Sequence, residues 1–412
     1  MRLLNLCKSW FGLYFLTSII DAIMVMTYHP QFAKCSMLTI LAATYIAMAK
    51  VSKSWSLIDI VLGFFTLYLA VVGFVLNDEQ DLWYIGCTTQ LWFVVYFFVG
   101  EYEKCNDSTI FNKGIYFFLF ACFIGIPLFF NPPSWYIDFK FYYLGEMKTE
   151  GIILENFRFS SLWPGGYWIS YGVTIFFIYV LHRCFVKNNI SLVDISILVF
   201  MALIALLAQM RAALGYMAFV ALFYLLYSTF LRRYKRNGNF KRVMVFLVVL
   251  FALLISALLL YLDSSIVDNF LRKIDGSKSD SFISERANMF SGFLNNISFW
   301  GAGIGSASHS AANIGKESIT DQMYIRILYE TGIFGFTIYI FIFLAIFFKG
   351  IRNFRYYIFE LLVFGFYIGN MTGADSLAVI VQHPLIFWFC CGRIFNKKLL
   401  QKRKTDYETF FI

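Results

Sequence analysis

Three arginines stand in short polar segments between apolar runs. Arg158 lies in NFRFSSLWPGG, Arg211 in AQMRAALG and Arg286 in SERANMFSGF. A guanidinium group stays charged and binds phosphate oxygens through paired N–H groups. For any one arginine alone, snorkelling to water or pairing with a carboxylate is the simpler explanation. Three on one membrane face instead predict a site for a lipid-linked diphosphate, which they can stabilise as a leaving group without a metal.

An aspartate precedes the longest apolar run of the second half of the chain. The segment 318–321, SITD, predicts a helix start, and the apolar helix should follow from 322 to 348. Asp321 therefore has two interpretations. It can complement the positive N-terminus of the helix, or it can act as general base or orienting acceptor for a sugar hydroxyl. Tyr324 shares its helical side and is a candidate substrate contact.

Glu330 lies nine residues beyond Asp321 on the same predicted helix. That spacing puts it half a turn out of phase and about 14 Å deeper, so the two acids do not form a catalytic pair. We expect Glu330 to pair with Arg326 one turn earlier and to face the bundle interior, because a charge facing lipid is costly. A structural role and a substrate-binding role both remain open for it.

The common nucleotide and metal motifs are absent from the sequence. There is no GxxxxGK[ST] and no HExxH, and the four histidines are scattered. The glycines at 301, 303 and 305 predict a tight loop, since a dinucleotide site would also need a strand before them and a helix after them. His309, between two serines in a loop of small residues, is a further candidate for a catalytic or substrate-binding role.

The composition predicts that membrane helices position these residues. The chain is 60% hydrophobic, 21% aromatic and 14% charged, far from the soluble range. Twelve apolar runs are long enough to predict an all-α polytopic membrane protein, a single membrane domain over 1–412. The predicted spans lie near 10–28, 33–49, 57–76, 82–100, 110–130, 166–185, 190–210, 212–230, 243–262, 323–348, 356–371 and 376–392.

The basic residues set the predicted orientation. With a cytoplasmic N-terminus, alternate connections receive most of the 34 Lys and Arg residues, including the cluster 232–242 and the tail 393–404. Both termini should then be cytoplasmic. The net charge of +9 is thus explained by topology and not by nucleic-acid binding. Two long loops, 131–165 and 263–322, fall on the outer face with the tight turn at Arg211. Within the second loop, 280–297 has the spacing of an amphipathic surface helix.

In four segments the sequence resembles the superfamily of O-antigen polymerases and O-antigen ligases, GT-C-like membrane glycosyltransferases. The matching segments, in the order that the family uses, are FRFSSLWPGG at 157–166, QMRAALGYM at 209–217, SERANMFSGFLNNISFWGAGIGS at 284–306 and DQMYIRILYETGIFGF at 321–336. The last carries the most specific pattern, an aromatic, a Leu, a Glu and a final Gly-Ile-x-Gly.

The resemblance implies that Arg158, Arg211 and Arg286 surround the diphosphate and that the outer loops shape the sugar groove. One departure separates the two branches. Ligases resemble this pattern with a His-Asn pair just before the helix aromatic, whereas this chain has Asp321-Gln322 there and its nearest histidine is His309. We therefore expect a polymerase and leave the general base open.

The expected activity is the joining of undecaprenyl-diphosphate-linked repeat units into O-antigen or capsular polysaccharide, on the outer face of a bacterial inner membrane. Neither cofactor nor metal is required, because the glycosyl diphosphate bond already stores the energy. The expected partners are the lipid-linked donor and acceptor, with a chain-length regulator and a flippase of the same pathway. The alternatives are an O-antigen ligase and, from another class, a lipid-linked oligosaccharide flippase or transporter.

Overall fold

The computed structural model describes residues 56–77, 79–91, 96–98, 100–101, 107–137, 159, 161, 166–187, 189–208, 211–230, 245, 249, 296–308, 311, 315, 318–319, 322–372, 377 and 383–411. The regular elements within these residues are helices, as predicted. They are α1 (Leu57–Leu76), α2 (Gln80–Gly86), which continues into a π-helical turn (Cys87–Leu91), α3 (Asp107–Phe130), α4 (Gly166–Lys187), α5 (Leu192–Leu207), α6 (Arg211–Phe230), α7 (Met323–Arg352), α8 (Phe354–Asn370), α9 (His383–Phe395) and α10 (Lys397–Phe411).

Several helices have the length and surface of membrane helices. Among the described residues, α1, α4 and α7 are long and apolar enough to cross a membrane, and α3, α5, α6 and α9 contain shorter apolar stretches. One face of α1 exposes large apolar side chains at helical spacing, including Leu57, Phe64, Leu67 and Val71. An exposed apolar helix face of this kind is unfavourable in water. It is consistent with the predicted polytopic membrane protein.

The bundle is organised around α4. Residues 169 to 181 are all buried, and α4 packs against α3, α5, α6, α8 and α9. The buried Thr174 hydroxyl donates to the Ser170 carbonyl one turn earlier, at 2.8 Å. A helix that is buried on all sides occupies the centre of a large bundle.

The packed helices α4 and α8 run antiparallel. The Tyr171 ring contacts Phe366 with centroids 5.3 Å apart, and Tyr179 contacts Phe359 at 5.7 Å, so α4 and α8 run in opposite directions. The bundle therefore has two distinct ends. At the loop end, α1, α3, α5 and α8 finish while α4, α6 and α7 begin. At the basic end, α4, α7 and α9 finish and α10 follows.

The basic end carries most of the charged side chains of the described bundle. Arg183, near the end of α4, forms an ion pair with Asp194 on α5 and donates to the Asn112 amide oxygen on α3 at 2.6 Å. Asp194 also completes a capping box with Ser191 at the start of α5. These contacts tie three helices together where the sequence predicts the cytoplasmic side.

The helix boundaries match the predicted spans in most of the described chain. The predicted span 57–76 coincides with α1, and six others correspond to α3 through α8. The predicted span 82–100 is helical where it is described, and it changes from α-helix to a π-helical turn at Cys87. The last predicted span corresponds to α9 where it is described. The spans at 10–28 and 33–49, and nearly all of 243–262, lie outside the described residues.

Candidate functional site

The helix α7 is broken at Gly332, close to the loop end. Gly332 has φ 68° and ψ −178°, so the backbone groups on either side of it lose their helical partners. A segment of the second long loop, residues 298–303, supplies new partners; we name it the clasp segment. Four backbone hydrogen bonds join it to α7: Ala302 to the Tyr329 carbonyl at 2.9 Å, Gly303 to the Glu330 carbonyl at 2.9 Å, Ile333 to the Ser298 carbonyl at 3.3 Å and Phe334 to the Phe299 carbonyl at 3.2 Å.

The predicted tight loop at Gly301, Gly303 and Gly305 is confirmed. All three glycines have positive φ, between 87° and 91°, a conformation that other residues rarely adopt. A Cβ on Gly305 would lie 2.0 Å from the Leu82 carbonyl oxygen. The loop thus packs backbone to backbone against the helices, and nothing in its geometry suggests a nucleotide site.

Glu330 is the centre of a buried polar cluster beside the clasp segment. Its carboxylate accepts from Arg326 Nε at 3.0 Å, as the sequence predicts, and both side chains are about 1% exposed. The Ala307 N–H donates to Oε1 at 3.2 Å, and Gln90 Nε2 donates to Oε2. Three different segments therefore meet at one carboxylate, which neutralises Arg326 and anchors the loop on α7.

The cluster also has unused hydrogen-bonding capacity. The Gln90 Oε1 atom and the hydroxyls of Ser306 and Ser308 are buried and find no hydrogen-bond partner among the described residues. Ser306 and Ser308 flank Ala307, whose N–H binds Glu330. Buried polar atoms of this kind favour a hydroxyl-bearing neighbour, since leaving them unpaired costs free energy.

Helix α1 and the residue after it bind the clasp segment and the adjoining loop from another side. The Tyr68 hydroxyl donates to the Thr331 carbonyl at 2.9 Å and lies 3.2 Å from the Trp300 carbonyl. The Asn77 amide donates to the Ile304 carbonyl at 2.8 Å. The non-helical backbone around Gly332 is thus enclosed by protein, the condition under which a membrane tolerates it.

One backbone contact joins the two segments that lead to His309 and Asp321. The Ile319 N–H donates to the Ala307 carbonyl at 3.0 Å. His309 follows Ala307 by two residues, and Asp321 follows Ile319 by two. Both candidates lie outside the described residues. The N-cap of α7 is Gln322, whose side chain makes no capping hydrogen bond, so the helix begins one residue later than a cap at Asp321 would require.

A second backbone contact joins the segments that carry Arg158 and Arg211. The Phe159 N–H donates to the Leu207 carbonyl at 3.2 Å, and α6 begins at Arg211. Arg158 lies outside the described residues, and of Arg211 only the backbone is described. The neighbouring Ser161 is anchored to α3, because its hydroxyl donates to the Ala121 carbonyl at 2.5 Å. The predicted proximity of the first loop and the Arg211 turn agrees with these contacts.

Tyr324 lies in the wall between α7 and α8. Its hydroxyl donates to the Ile368 carbonyl at 2.9 Å, and its ring lines an apolar groove of about 500 Å³ formed mainly by α6, α7 and α8. The hydroxyl hydrogen is therefore used in helix packing, while the ring lies beside the groove.

The predicted site residues divide into two groups. Glu330 and Tyr324 are described at the loop end, together with the start of the helix that carries Arg211. Arg286 and the predicted amphipathic helix around it lie outside the described residues, apart from positions 296 and 297. Sequence reasoning missed Gln90 and Tyr68. No local signal marks either one, because each is an uncharged residue inside an apolar run.

Among the described residues, no three His, Cys, Asp or Glu side chains are grouped as a metal site. Comparison with protein-family models and with curated proteins gives no match.

Proposed function

We propose that this protein is a membrane glycosyltransferase that polymerises lipid-diphosphate-linked repeat units, with its reaction centre at the loop end of the bundle. The proposal combines the sequence resemblance with the predicted arginine cluster. On this account, Arg158, Arg211 and Arg286 bind the diphosphate, and the loops around 131–165 and 263–322 form the sugar groove. The fold would be GT-C-like and the site extracytoplasmic.

The observation that carries the proposal is the convergence of loop segments at one end. The Phe159–Leu207 contact ties the first loop to the turn before Arg211, and the Ala307–Ile319 contact ties the second loop to the start of α7. Arg158, Arg211, His309 and Asp321 each lie within four residues of one of these contacts. At the basic end, the arginines within the bundle already pair with Asp194 and Glu360, so we place the reaction at the loop end.

The proposed reaction needs one bond formed and one broken. A hydroxyl of the acceptor sugar attacks the anomeric carbon of the donor glycan, the bond from that carbon to the diphosphate oxygen breaks, and undecaprenyl diphosphate leaves. The hydroxyl proton passes to a base, for which Asp321 is our first candidate. Charge stabilisation by the arginines and the proximity of two bound lipids would lower the barrier.

The Glu330 cluster fits this account as the floor of the sugar groove. Its carboxylate is occupied by three donors, so it anchors the loop and is a poor candidate for the base. The Ser306 and Ser308 hydroxyls and Gln90 Oε1 add hydrogen-bonding atoms of the kind that suits a sugar hydroxyl.

A transporter is the alternative from another class, and the break in α7 is the feature that favours it, because broken helices line many transport sites. In the described structure, however, the backbone groups at the break bind the clasp segment and Tyr68. They are therefore not free to coordinate an ion or substrate. The ligase alternative rests on the resemblance alone.

A reconstituted assay separates these possibilities. The purified full-length chain in liposomes would receive lipid-linked repeat units as donor and acceptor. A polymerase yields lipid-linked chains of two or more repeats and releases undecaprenyl diphosphate. A ligase transfers glycan to a different lipid acceptor when one is supplied. Movement of unreacted repeat units across the bilayer, with no new glycosidic bond, would contradict our proposal and indicate a transporter.

A further inference from the structure

The last described helix, α10, has one strongly basic face. Its exposed side chains include Lys397, Lys398, Lys402 and Lys404, whereas Leu399 and Arg403 are buried on the opposite side. At 100° per residue the exposed and buried positions separate into two faces. The lysines therefore point away from the bundle at its basic end, directly after the apolar helix α9.

This helix is held firmly against the bundle. Glu360 on α8 is fully buried; its carboxylate accepts from Arg403 at 2.8 and 2.9 Å and from Arg393 Nε at 2.8 Å. At the α9–α10 junction, Asn396 caps the Leu399 N–H at 3.0 Å and donates to the Gly100 carbonyl at 3.2 Å. The lysine face is thus fixed relative to the membrane helices. Because Glu360 already binds two arginines, it does not offset the surface charge.

A second basic segment lies next to α10. Lys349 and Arg352 at the end of α7 and Arg355 at the start of α8 are exposed. Arg403 also donates to the Tyr356 carbonyl, which brings the chain at Arg355 beside α10. We call these seven exposed residues the basic corner: Lys349, Arg352, Arg355, Lys397, Lys398, Lys402 and Lys404.

Large apolar side chains alternate with the charges on α7. Phe348 is 63% exposed and Ile351 is 44% exposed, on either side of Lys349. A soluble phosphate would need only the charges. A phospholipid presents both an anionic headgroup and acyl chains, and matches both kinds of side chain.

We propose that the basic corner is a binding site for anionic phospholipid headgroups, with the acyl chains lying against Phe348 and Ile351. This inference does not depend on the reaction at the loop end. Each lysine near an anionic membrane surface contributes about fivefold to affinity. Binding should weaken as salt is raised, since exposed charges are screened.

The test uses the purified, delipidated full-length chain in neutral detergent. Thermal unfolding is followed while phosphatidylglycerol, phosphatidylcholine with the same acyl chains, or glycerol 3-phosphate is added. We expect phosphatidylglycerol to raise the unfolding midpoint in a saturable, salt-sensitive way and the other two to have little effect. The variant K397Q/K398Q/K402Q/K404Q should bind phosphatidylglycerol at least about a hundredfold more weakly, because four contributions of about fivefold multiply.

Two matched variants control for loss of structure. Replacing the same four lysines by arginine keeps the charge and should keep the affinity, and Gln401→Ala changes an exposed neutral residue of the same helix and should be silent. Equal stabilisation by the two phospholipids, or unchanged affinity in the glutamine variant, would overturn the proposal. Equal stabilisation by glycerol 3-phosphate would identify a soluble phosphate site instead. If the glutamine variant does not fold, the salt dependence of phosphatidylglycerol binding to the unmodified chain is the test, and binding that salt does not weaken would overturn the proposal.

Discussion

Gly301 and Gly332 approach so closely that neither has room for a Cβ atom. A Cβ on Gly332 would lie 2.3 Å from the Gly301 nitrogen, and a Cβ on Gly301 would lie 2.5 Å from the Gly332 nitrogen. Both residues have positive φ, 87° and 68°. This contact locks the clasp segment to the break in α7, and it explains why the Gly-Ile-x-Gly pattern begins with glycine.

We predict that Gly332→Ala destabilises the protein and releases the clasp segment. A non-glycine residue in this backbone conformation costs about 1–3 kcal/mol, and the Cβ must also displace the Gly301 backbone. Thermal unfolding in detergent and the rate of proteolysis within 296–308 measure the effect. Gly63→Ala on α1 is the matched control, because a Cβ there meets no atom within 4 Å. Equal behaviour of the two variants would contradict the proposed contact.

The Arg326–Glu330 pair should behave as a coupled unit. Removing one partner leaves a buried charge, so Arg326→Met and Glu330→Met should each cost about 3–5 kcal/mol of stability. The double variant should cost clearly less than the sum of the two, because no unpaired charge remains. Equilibrium unfolding in mixed micelles provides the cycle, and Glu79→Gln, at an exposed acid, is the control. Additive losses would argue against the pair.

The sequence and the structure agree where the information is local. Run length and apolar character predict α1 to the residue, and the i, i+4 spacing predicts the Arg326–Glu330 pair. The break at Gly332 was not predicted, because TGIFG lies inside an apolar run that is compatible with helix. Its cause is non-local, since the clasp segment precedes Gly332 by about thirty residues. The Gln90–Glu330 contact spans 240 residues of sequence, which no spacing rule can reveal.

The orientation of the bundle is the next prediction. We expect the connection 232–242 and the C-terminus in the cytoplasm, and the loops 131–165 and 263–322 outside, because basic residues favour the cytoplasmic side. Reporter fusions after residues 240, 300 and 412 test this. A cytoplasmic signal from the fusion after residue 300 would remove the loop end as a site for extracytoplasmic lipid substrates.

Substitution of Asp321 distinguishes a structural role of this residue from a catalytic one. An amide can still accept a hydrogen bond near the start of a helix, but it cannot take up a proton efficiently. We predict that Asp321→Asn inserts and folds normally while polymer formation falls roughly 100-fold. Lipid-linked single repeats should accumulate. Polymer of normal length and amount from this variant would return Asp321 to a structural role and make His309 the next candidate base.

The arginine variants test the central claim most directly, in the reconstituted polymerisation assay with matched amounts of inserted protein. We predict that the unmodified chain forms polymer and releases undecaprenyl diphosphate. Arg211→Ala and Arg286→Ala should abolish both products. Lysine at either position should restore activity partly at best, because an ammonium group cannot make paired phosphate contacts. Arg158→Ala should have a smaller effect. Unmodified polymer formation by Arg286→Ala, or no polymer from the unmodified chain with confirmed lipid-linked substrate, would contradict the account.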